Sequence, residues 1–127
     1  MKKKKKGLKY WITKVDNYFH RYIRLRDTND EGYGNCYTCN VPLDFKRTQA
    51  GHFINRSLKA TRWDERNVGV QCFGCNISRS GEQYKFSQYL GNNLSEQLHI
   101  KSKQIVKFAD IDLIELIEHY TDKVNSL

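Results

Sequence analysis

Apolar residues near the start of the chain recur at intervals of three and four. Such spacing places them on one side of an α-helix, which we predict from residue 8 to about residue 26. The stripe comprises Leu8, Trp11, Ile12, Val15, Tyr18, Phe19, Tyr22 and Ile23. The other faces carry several cations, so the helix is expected to pack inward through its stripe and to expose positive charge.

The middle of the chain shows the shorter period of β-strands. We predict two strands, at residues 50–54 and 67–71, joined by a polar connection rich in Arg and Lys. A helix is expected to follow from about residue 76 or 80 to residue 90. Residues 27–35, before this region, are rich in turn formers and are predicted to be a loop. The centre of the chain is therefore ββα-like.

The pattern becomes helical again after residue 93. Ser95 is a candidate N-cap, and C-terminal helices are predicted across residues 94–125. The last of them opens with Asp112 three residues before Glu115, a capping-box spacing with Asp in place of Ser or Thr. Helix, ββα-like centre and further helices together predict an α+β fold in one domain, residues 8–127.

The charge balance points to a polyanionic partner. The 127 residues carry 22 Lys and Arg against 14 Asp and Glu, a net charge of +8. A surface of this kind attracts polyanions, of which DNA and RNA are the commonest. A protein that is merely soluble and basic, or one that lies on anionic membranes, remains an alternative.

The N-terminus begins with a run of five lysines after Met1 that resembles the basic region of a signal peptide. Lys9, Lys14 and Asp16 interrupt the apolar stretch that a signal peptide needs, and no segment reaches the ~18–20 apolar residues of a membrane span. We therefore expect a protein of the cytoplasm (the host cell's, if a phage encodes it). Residues 1–7 are expected to form a solvated, disordered arm, with phosphate contact as the alternative.

Four cysteines form two CxxC pairs, Cys36 with Cys39 and Cys72 with Cys75, separated by 32 residues. Two such pairs supply the four thiolates of a tetrahedral structural Zn²⁺ site. Disulfides are disfavoured in the cytoplasm, and a redox CxxC usually occurs singly in a thioredoxin-like fold. With all four positions filled by thiolate, this zinc is predicted to stabilise the fold and not to catalyse.

His52 and Asn67 lie between the two CxxC pairs, and Asn76 directly follows Cys75. Each of these residues alone is weak evidence for a catalytic site, since a single His in a strand is more often structural. The order CxxC, His, Asn, CxxC-Asn resembles the zinc-stapled HNH (His-Me finger, ββα-metal) nucleases. This resemblance implies a ββα-metal core at residues 36–90, flanked by the N- and C-terminal helices.

Several segments resemble the NinG (Rap) recombination nucleases of lambdoid phages more closely. They are YIRLRD at 22–27, AGHF at 50–53, RWDERN at 62–67, QCFGCN at 71–76 and LIEHY at 116–120. The resemblance runs from about residue 15 to residue 120. It implies an endonuclease that cuts branched DNA intermediates of recombination, such as Holliday junctions or D-loops.

The resemblance also implies roles that suit the chemistry of phosphodiester hydrolysis. The imidazole of His52 would take the proton of the attacking water. Asn76 would offer its amide oxygen to a catalytic Mg²⁺ or Mn²⁺, which stabilises the leaving oxyanion. Asn67 would position the hairpin by hydrogen bonds to the backbone.

One position departs from the HNH pattern. Many of these nucleases carry Asp or His just before the general base as a second metal ligand, whereas this chain has Gly51. Either Asn76 is the only protein ligand, with water completing the shell, or Asp64 or Glu65 supplies a carboxylate. The residues leave both options open.

Cations crowd the connection between the strands. Arg62 is the candidate to stabilise charge in the transition state, with a plain salt bridge to Asp64 or Glu65 as the equal alternative. The candidate contacts to the DNA backbone are Arg56, Lys59, Arg66, Arg79 and Lys85. The remaining histidines, His20, His99 and His119, are interpreted as bystanders.

Three functions fit these patterns. The first is a metal-dependent endonuclease selective for branched DNA, and the second is a zinc-ribbon-like nucleic-acid-binding module without catalysis. The third is an HNH nuclease of other purpose, such as phage packaging or restriction. His52, Asn67 and Asn76 together favour an enzyme, because a binding module does not need all three. A homodimer is attractive for symmetric branches, which need two cuts.

Overall fold

The computed structural model of the chain describes residues 5–127 and has the α+β class predicted from the sequence. Its helices are α1 (Leu8–Arg26), α2 (Lys59–Arg62), α3 (Gln83–Leu90), α4 (Asn92–Ser102) and α5 (Asp110–Asn125). Its strands are β1 (Tyr33–Asn35), β2 (Pro42–Asp44), β3 (Gln49–His52) and β4 (Val68–Gln71). The arm predicted at residues 1–7 lies largely outside the described residues.

The strands form two separate antiparallel hairpins. In the first, β1 pairs with β2 so that Gly34 faces Leu43. In the second, β3 pairs with β4, and His52 faces Val68 at the end where the connection joins the two strands. The loop predicted for residues 27–35 is therefore partly wrong, because β1 begins within it. The turn between β1 and β2 contains the first CxxC pair. These strands are too short to show an alternation of apolar and polar residues, so the sequence pattern does not predict this hairpin.

The strands of the second hairpin are shorter than predicted. Phe53 and Ile54 leave β3 and enter an apolar cluster with Phe86 and Leu98. Asn67 ends a 3-10 turn (Glu65–Asn67) just before β4 and is not itself in the strand. The polar connection contains the short helix α2, which the sequence pattern did not indicate.

The main core lies between α1, α5 and the β3–β4 hairpin. The stripe of α1 supplies Val15, Phe19 and Ile23, all fully buried, and α5 adds Leu113. Val68 closes the cluster from the hairpin side. The first and last helices therefore pack against each other and together support the hairpin.

Two helix starts differ from their predictions. Helix α4 begins at Asn92, and Ser95 is buried inside it, where its hydroxyl donates to the carbonyl of Ser87 (3.0 Å). Asp112 lies in the first turn of α5 and accepts a hydrogen bond from the backbone N–H of Ala109 (2.8 Å). Across residues 5–127, no helix is both long and apolar enough to cross a membrane.

Candidate functional site

The four cysteines predicted to bind zinc lie together. Their sulfur atoms are all within 4.8 Å of one another, and Cys39 Sγ is 3.8 Å from Cys72 Sγ. A tetrahedron of Zn–S bonds of about 2.3 Å has sulfur–sulfur edges of about 3.8 Å. The cluster therefore has the size and the donor atoms that could hold a zinc ion.

Donors around the sulfurs favour thiolates. The backbone N–H of Cys72 donates to Cys36 Sγ and that of Cys75 donates to Cys72 Sγ, both at 3.4 Å. The guanidinium of Arg79 donates to Cys75 Sγ (3.2 Å) and also pairs with Glu82. Arg79, a predicted DNA contact, thus supports the cysteine cluster.

A cleft of about 1170 Å³ opens between α1, the β3–β4 hairpin and the turn after the second CxxC. It brings together two of the three residues predicted from the HNH pattern, His52 and Asn76. Its other polar lining includes Asp16, His20, Gln49, Arg56 and Arg62. Residues from four separate stretches of the chain therefore share one cavity.

The hydrogen bond of His52 fixes its tautomer. Its Nε2 lies 3.0 Å from the carbonyl oxygen of Arg62. A carbonyl only accepts, so Nε2 carries the hydrogen and Nδ1 keeps its lone pair. Burial, and to a smaller extent the neighbouring His20, lowers the pKa of His52 to about 4. The ring is therefore neutral near pH 7, with one nitrogen ready to accept a proton.

His20 lies beside His52, although the sequence marks it as a bystander. The two ring centroids are 5.4 Å apart, edge to face. The Nε2 atom of His20 is buried without a hydrogen-bond partner among the described residues. Burial lowers the pKa of His20 to about 4. Its spacing of four residues from Asp16 on α1 is the sequence signal that could have placed both on the cleft.

Asn76 is oriented by a second amide. Its Nδ2 donates to Gln49 Oε1 (2.9 Å), so its own amide oxygen is left to accept from or ligate another group. Asn76 lies in a short π-helical turn (Gly74–Ser78) that precedes α3, and not at the start of the helix as predicted. An amide oxygen is a suitable ligand for Mg²⁺ or Mn²⁺.

Asn67 is fully buried and binds the backbone on both sides of the connection between the strands. Its Oδ1 accepts from the N–H of Ile54 (2.8 Å), and its Nδ2 donates to the carbonyls of Ile54 (3.2 Å) and Thr61 (3.1 Å). It does not line the cleft. Its geometry suits a positioning role and no contact with substrate.

Arg62 pairs with a different acid from those considered in the sequence. Its guanidinium donates to both carboxylate oxygens of Asp16, at 3.1 and 2.6 Å, and to the carbonyl of Arg56 at 2.8 Å. Burial raises the pKa of Asp16, but hydrogen bonds from Arg62 and Trp63 outweigh it, so that the pKa lies below its usual value. The salt bridge predicted to Asp64 or Glu65 is wrong.

Asp64 and Glu65 are also unsuited to the metal role considered for them. Asp64 is held by Arg66 and Lys101, each at 2.8 Å, and Glu65 by Lys123 at 2.7 Å. Neither carboxylate lines the cleft. The acid that does is Asp16.

Gly51 is closed to a larger side chain. A Cβ at this position would collide with the side chain of Gln71, which is fully buried. Gln71 donates to the hydroxyl of Thr38 in the first CxxC turn (3.0 Å) and to the carbonyl of Gly81 (2.9 Å) at the cleft. The glycine thus allows Gln71 to connect the cysteine cluster with the cleft.

The predicted DNA contacts are scattered. Arg56 lines the cleft with about half of its side chain exposed, and its guanidinium lies 3.7 Å from Asp16. Lys59 and Lys85 are exposed outside the cleft, on α2 and α3. Arg66 is exposed but bound to Asp64. Of the five, the structure therefore places only Arg56 beside His52 and Asn76.

Comparison with known proteins gives consistent matches. A family model described as Bacteriophage Lambda NinG protein matches residues 1–127. Protein ninG of Escherichia phage 933W and that of Enterobacteria phage VT2-Sa are each 30% identical over 89 residues, 69% of this chain and 42% of each relative. Protein ninG of Salmonella phage P22 is 33% identical over 73 residues, 57% of this chain and 34% of that protein. The matches thus span less than half of these curated relatives, and no solved structure matches this chain.

Proposed function

This chain belongs to the bacteriophage lambda NinG family, and on that premise we propose that it is a metal-dependent DNA endonuclease of the HNH type. Its substrates in this proposal are branched intermediates of recombination, such as Holliday junctions or D-loops. The β3–β4 hairpin, the turn that bears Asn76 and helix α3 follow one another in ββα order, which supports the HNH assignment.

One observation carries the proposal: the cleft is lined by a neutral imidazole with a free nitrogen and by an amide oxygen that has no partner among residues 5–127. His52 Nδ1 takes the proton of the attacking water, because Nε2 is already committed to the carbonyl of Arg62. A scissile phosphate beside the ring carries negative charge, which raises the pKa of His52 from about 4 toward the pH of the reaction.

The amide oxygen of Asn76 would hold a Mg²⁺ or Mn²⁺ ion, with water as its other ligands. Such an ion supplies charge stabilisation at the phosphate and at the leaving oxygen. Asn76 fits as a ligand because Gln49 occupies its Nδ2 and turns its oxygen away from that bond. The side chain of Gln71 leaves no room for a metal-binding side chain at position 51. Of positions 51 and 76, only Asn76 would therefore supply a ligand to the ion.

The two arginines of the cleft have different roles in this proposal. Arg62 uses three nitrogens on Asp16 and Arg56 and offers its carbonyl to His52, so it positions the base. Arg56 has a half-exposed side chain and only a long approach to Asp16. We assign the contact with the substrate phosphate to Arg56, where a cation stabilises developing negative charge.

The test is cleavage of labelled four-way junction, flap, D-loop and linear duplex DNA with Mg²⁺ or Mn²⁺. We expect faster cutting of the branched substrates and none without added divalent metal. His52→Ala should lower the rate by about 10²–10⁴-fold, the usual contribution of a general base, and leave DNA affinity within about twofold. His99→Ala is the matched control, because His99 is exposed and does not line the cleft.

A His52→Ala protein that cuts at the wild-type rate would exclude this mechanism. Wild-type protein that binds branched DNA but cuts nothing would leave a zinc-containing binding module. Equal cutting of linear and branched DNA would point instead to an HNH nuclease of other purpose.

A further inference from the structure

A second pocket adjoins the cleft on the side of the first hairpin. We propose that it binds one unpaired nucleotide of the DNA strand next to the scissile phosphate, with the base stacked on Phe73. This inference deepens the proposed nuclease function and rests on it for the identity of the ligand. None of the five DNA contacts predicted from the sequence lies in this pocket.

The pocket and the cleft are neighbours. The pocket measures about 500 Å³ and shares the side chain of Gln49 with the cleft. This volume falls within the range of about 300–1,000 Å³ that small ligands occupy in proteins. Gln49 also orients Asn76 (2.9 Å), so in the proposal the nucleotide next to the scissile phosphate lies on the other side of Gln49.

The charge of the pocket suits a phosphate. Arg24, Lys46 and Arg47 line it, and none of its described lining residues carries a carboxylate. Asp44 is nearby in sequence but caps the following turn, accepting from the backbone N–H of Arg47 (3.1 Å). Three cations around one cavity therefore lack an acidic partner within the lining.

Arg24 is the clearest case of a cation in this pocket without an acidic partner. Its guanidinium donates to the hydroxyl of Thr48 (3.0 Å) and to the carbonyl of Phe45 (2.8 Å), both neutral acceptors. It also lies 4.4 Å from the ring centre of Phe45. Across residues 5–127, no carboxylate pairs with it. A half-buried cation held by neutral groups can still gain from a phosphate oxygen.

Phe73 gives the pocket its preference for an unpaired base. Phe73 is 59% exposed, although it lies in the chain between the half-buried Cys72 and the buried Cys75 of the cysteine cluster. Ile77, 55% exposed, lies four residues on and faces the cleft. Aromatic rings beside cations bind single strands by stacking on bases, and in a duplex both faces of a base are already stacked. The pocket thus favours a site where the duplex ends or branches.

The first experiment compares two DNA ligands that differ only in pairing. One is a duplex with a single-stranded flap that carries 2-aminopurine at its first unpaired positions, and the other is the matched linear duplex. Binding is measured with zinc-loaded protein and no added Mg²⁺ or Mn²⁺. We expect Phe73→Ala to weaken flap binding by about 5- to 150-fold, the range of one lost stacking contact, and duplex binding by less than about twofold.

The matched control is Tyr84→Ala, since Tyr84 is a 74% exposed aromatic residue that does not line either cavity. Each variant is checked for bound zinc and for thermal stability before binding is compared. Unchanged flap binding by Phe73→Ala, or an equal loss for flap and duplex, would overturn the proposal. The 2-aminopurine fluorescence should be quenched by the wild type and not by Phe73→Ala.

A second experiment tests the cations. Lys46→Ala and Arg47→Ala should each reduce the slope of log affinity against log salt by about 0.7 for flap DNA, the value for one phosphate contact on a single strand. Lys103→Ala and Lys107→Ala, exposed lysines away from the pocket, should leave the slope unchanged. Equal slopes in all four variants would also overturn the proposal.

These outcomes are separable from those for the nuclease. Binding is measured under conditions in which no cutting is expected, so a protein without nuclease activity can still show dependence on Phe73. In the converse case, the wild type and Phe73→Ala cut branched DNA at the same rate and bind flaps equally well. That result would support the nuclease function and exclude the nucleotide-binding pocket.

Discussion

At the scale of single residues, the cleft depends on polar groups that are held near apolar surroundings. Phe19 lies between the two histidines and the core, with its ring centre 6.2 Å from that of His20 and 6.5 Å from that of His52. Burial keeps both imidazoles neutral. The charged groups that face His20 are Asp16, which raises its pKa, and Arg56, Arg62 and Arg24, which lower it.

This burial predicts a dependence of stability on pH. In the unfolded chain a histidine has a pKa of about 6.5, whereas burial lowers the pKa of His20 and His52 to about 4 in the folded protein. Between these values the unfolded state binds more protons, so the free energy of unfolding falls as the pH drops from 6.5 toward 4.

The expected size is about 1–2 kcal/mol per histidine between pH 7 and pH 5. Chemical unfolding of the wild type and of His20→Gln, at both pH values, isolates this effect, because both proteins keep the four cysteines. The wild type should lose more stability than the variant. Equal losses would show that His20 is not held neutral. In the same variant, the pKa of His52, followed by NMR, should rise.

The sequence supplies the residues of the HNH pattern but not the groups that orient them. His52, Asn67 and Asn76 stand out because the spacing to the two CxxC pairs marks them. Gln49 and Asp16 do not, since a bond between residues 49 and 76 or 16 and 62 depends on how distant elements pack. For the same reason, the ion-pair partners considered for Arg62 from the sequence, Asp64 and Glu65, are its near neighbours in the chain and do not include Asp16.

At the scale of elements, the second hairpin is fixed at one end by the cysteine cluster. Cys72 directly follows β4, and the backbone N–H of Tyr37 in the first CxxC turn donates to the carbonyl of Val70 (2.9 Å). Gly69 leaves room for the ring of Tyr37, which a Cβ would strike. The two hairpins are thereby joined through the cluster.

If the cysteine cluster holds zinc, loss of the ion should therefore disorder the hairpin and the cleft. Metal affinity is coupled to folding where the ligands come from separate stretches of chain, so Cys75→Ser, or chelation of the wild type, should abolish most of the cooperative thermal transition. Zinc content by mass spectrometry and melting by circular dichroism measure this. Ser78→Ala, on an exposed residue of the same turn, should retain both. A zinc-free protein with the wild-type melting temperature would contradict this role.

Elements with a long periodic stripe were easier to predict than short ones. Helix α1 occupies Leu8–Arg26, the range predicted from its stripe. The hairpin β1–β2 and helix α2 have only three and four residues per element, too few for a period to emerge. Their form follows from the cysteine turn and from side-chain bonds, such as those of Asn67, that no local pattern encodes.

At the scale of the whole molecule, α5 supports the cleft without entering it. Leu113 is fully buried against the stripe of α1, and Lys123 ties α5 to Glu65 beside β4 (2.7 Å). Helix α1 in turn presents Asp16 and His20 to the cleft. Helix α5 therefore helps to hold α1 in the position from which Asp16 and His20 reach the cleft.

Leu113→Ala should lower the free energy of unfolding by about 2–5 kcal/mol, because it leaves a cavity between α1 and α5. Ile111→Ala should change it by less than about 0.5 kcal/mol, since Ile111 is 59% exposed on the same helix. Urea titration of both variants measures the difference. Similar midpoints would mean that α5 is not part of the cooperative core.

The contact between the first and last helices has a consequence for biosynthesis. During synthesis α1 leaves the ribosome before α5, so part of its apolar stripe stays uncovered until α5 has emerged. A nascent chain that lacks α5 keeps the bonds from Arg62 to Asp16 but loses Leu113 and Tyr120, which pack against α1. If the cleft cuts DNA, full activity thus requires that α5 has been synthesised and has packed against α1, and a chain that stops before α5 is expected to cut DNA less well.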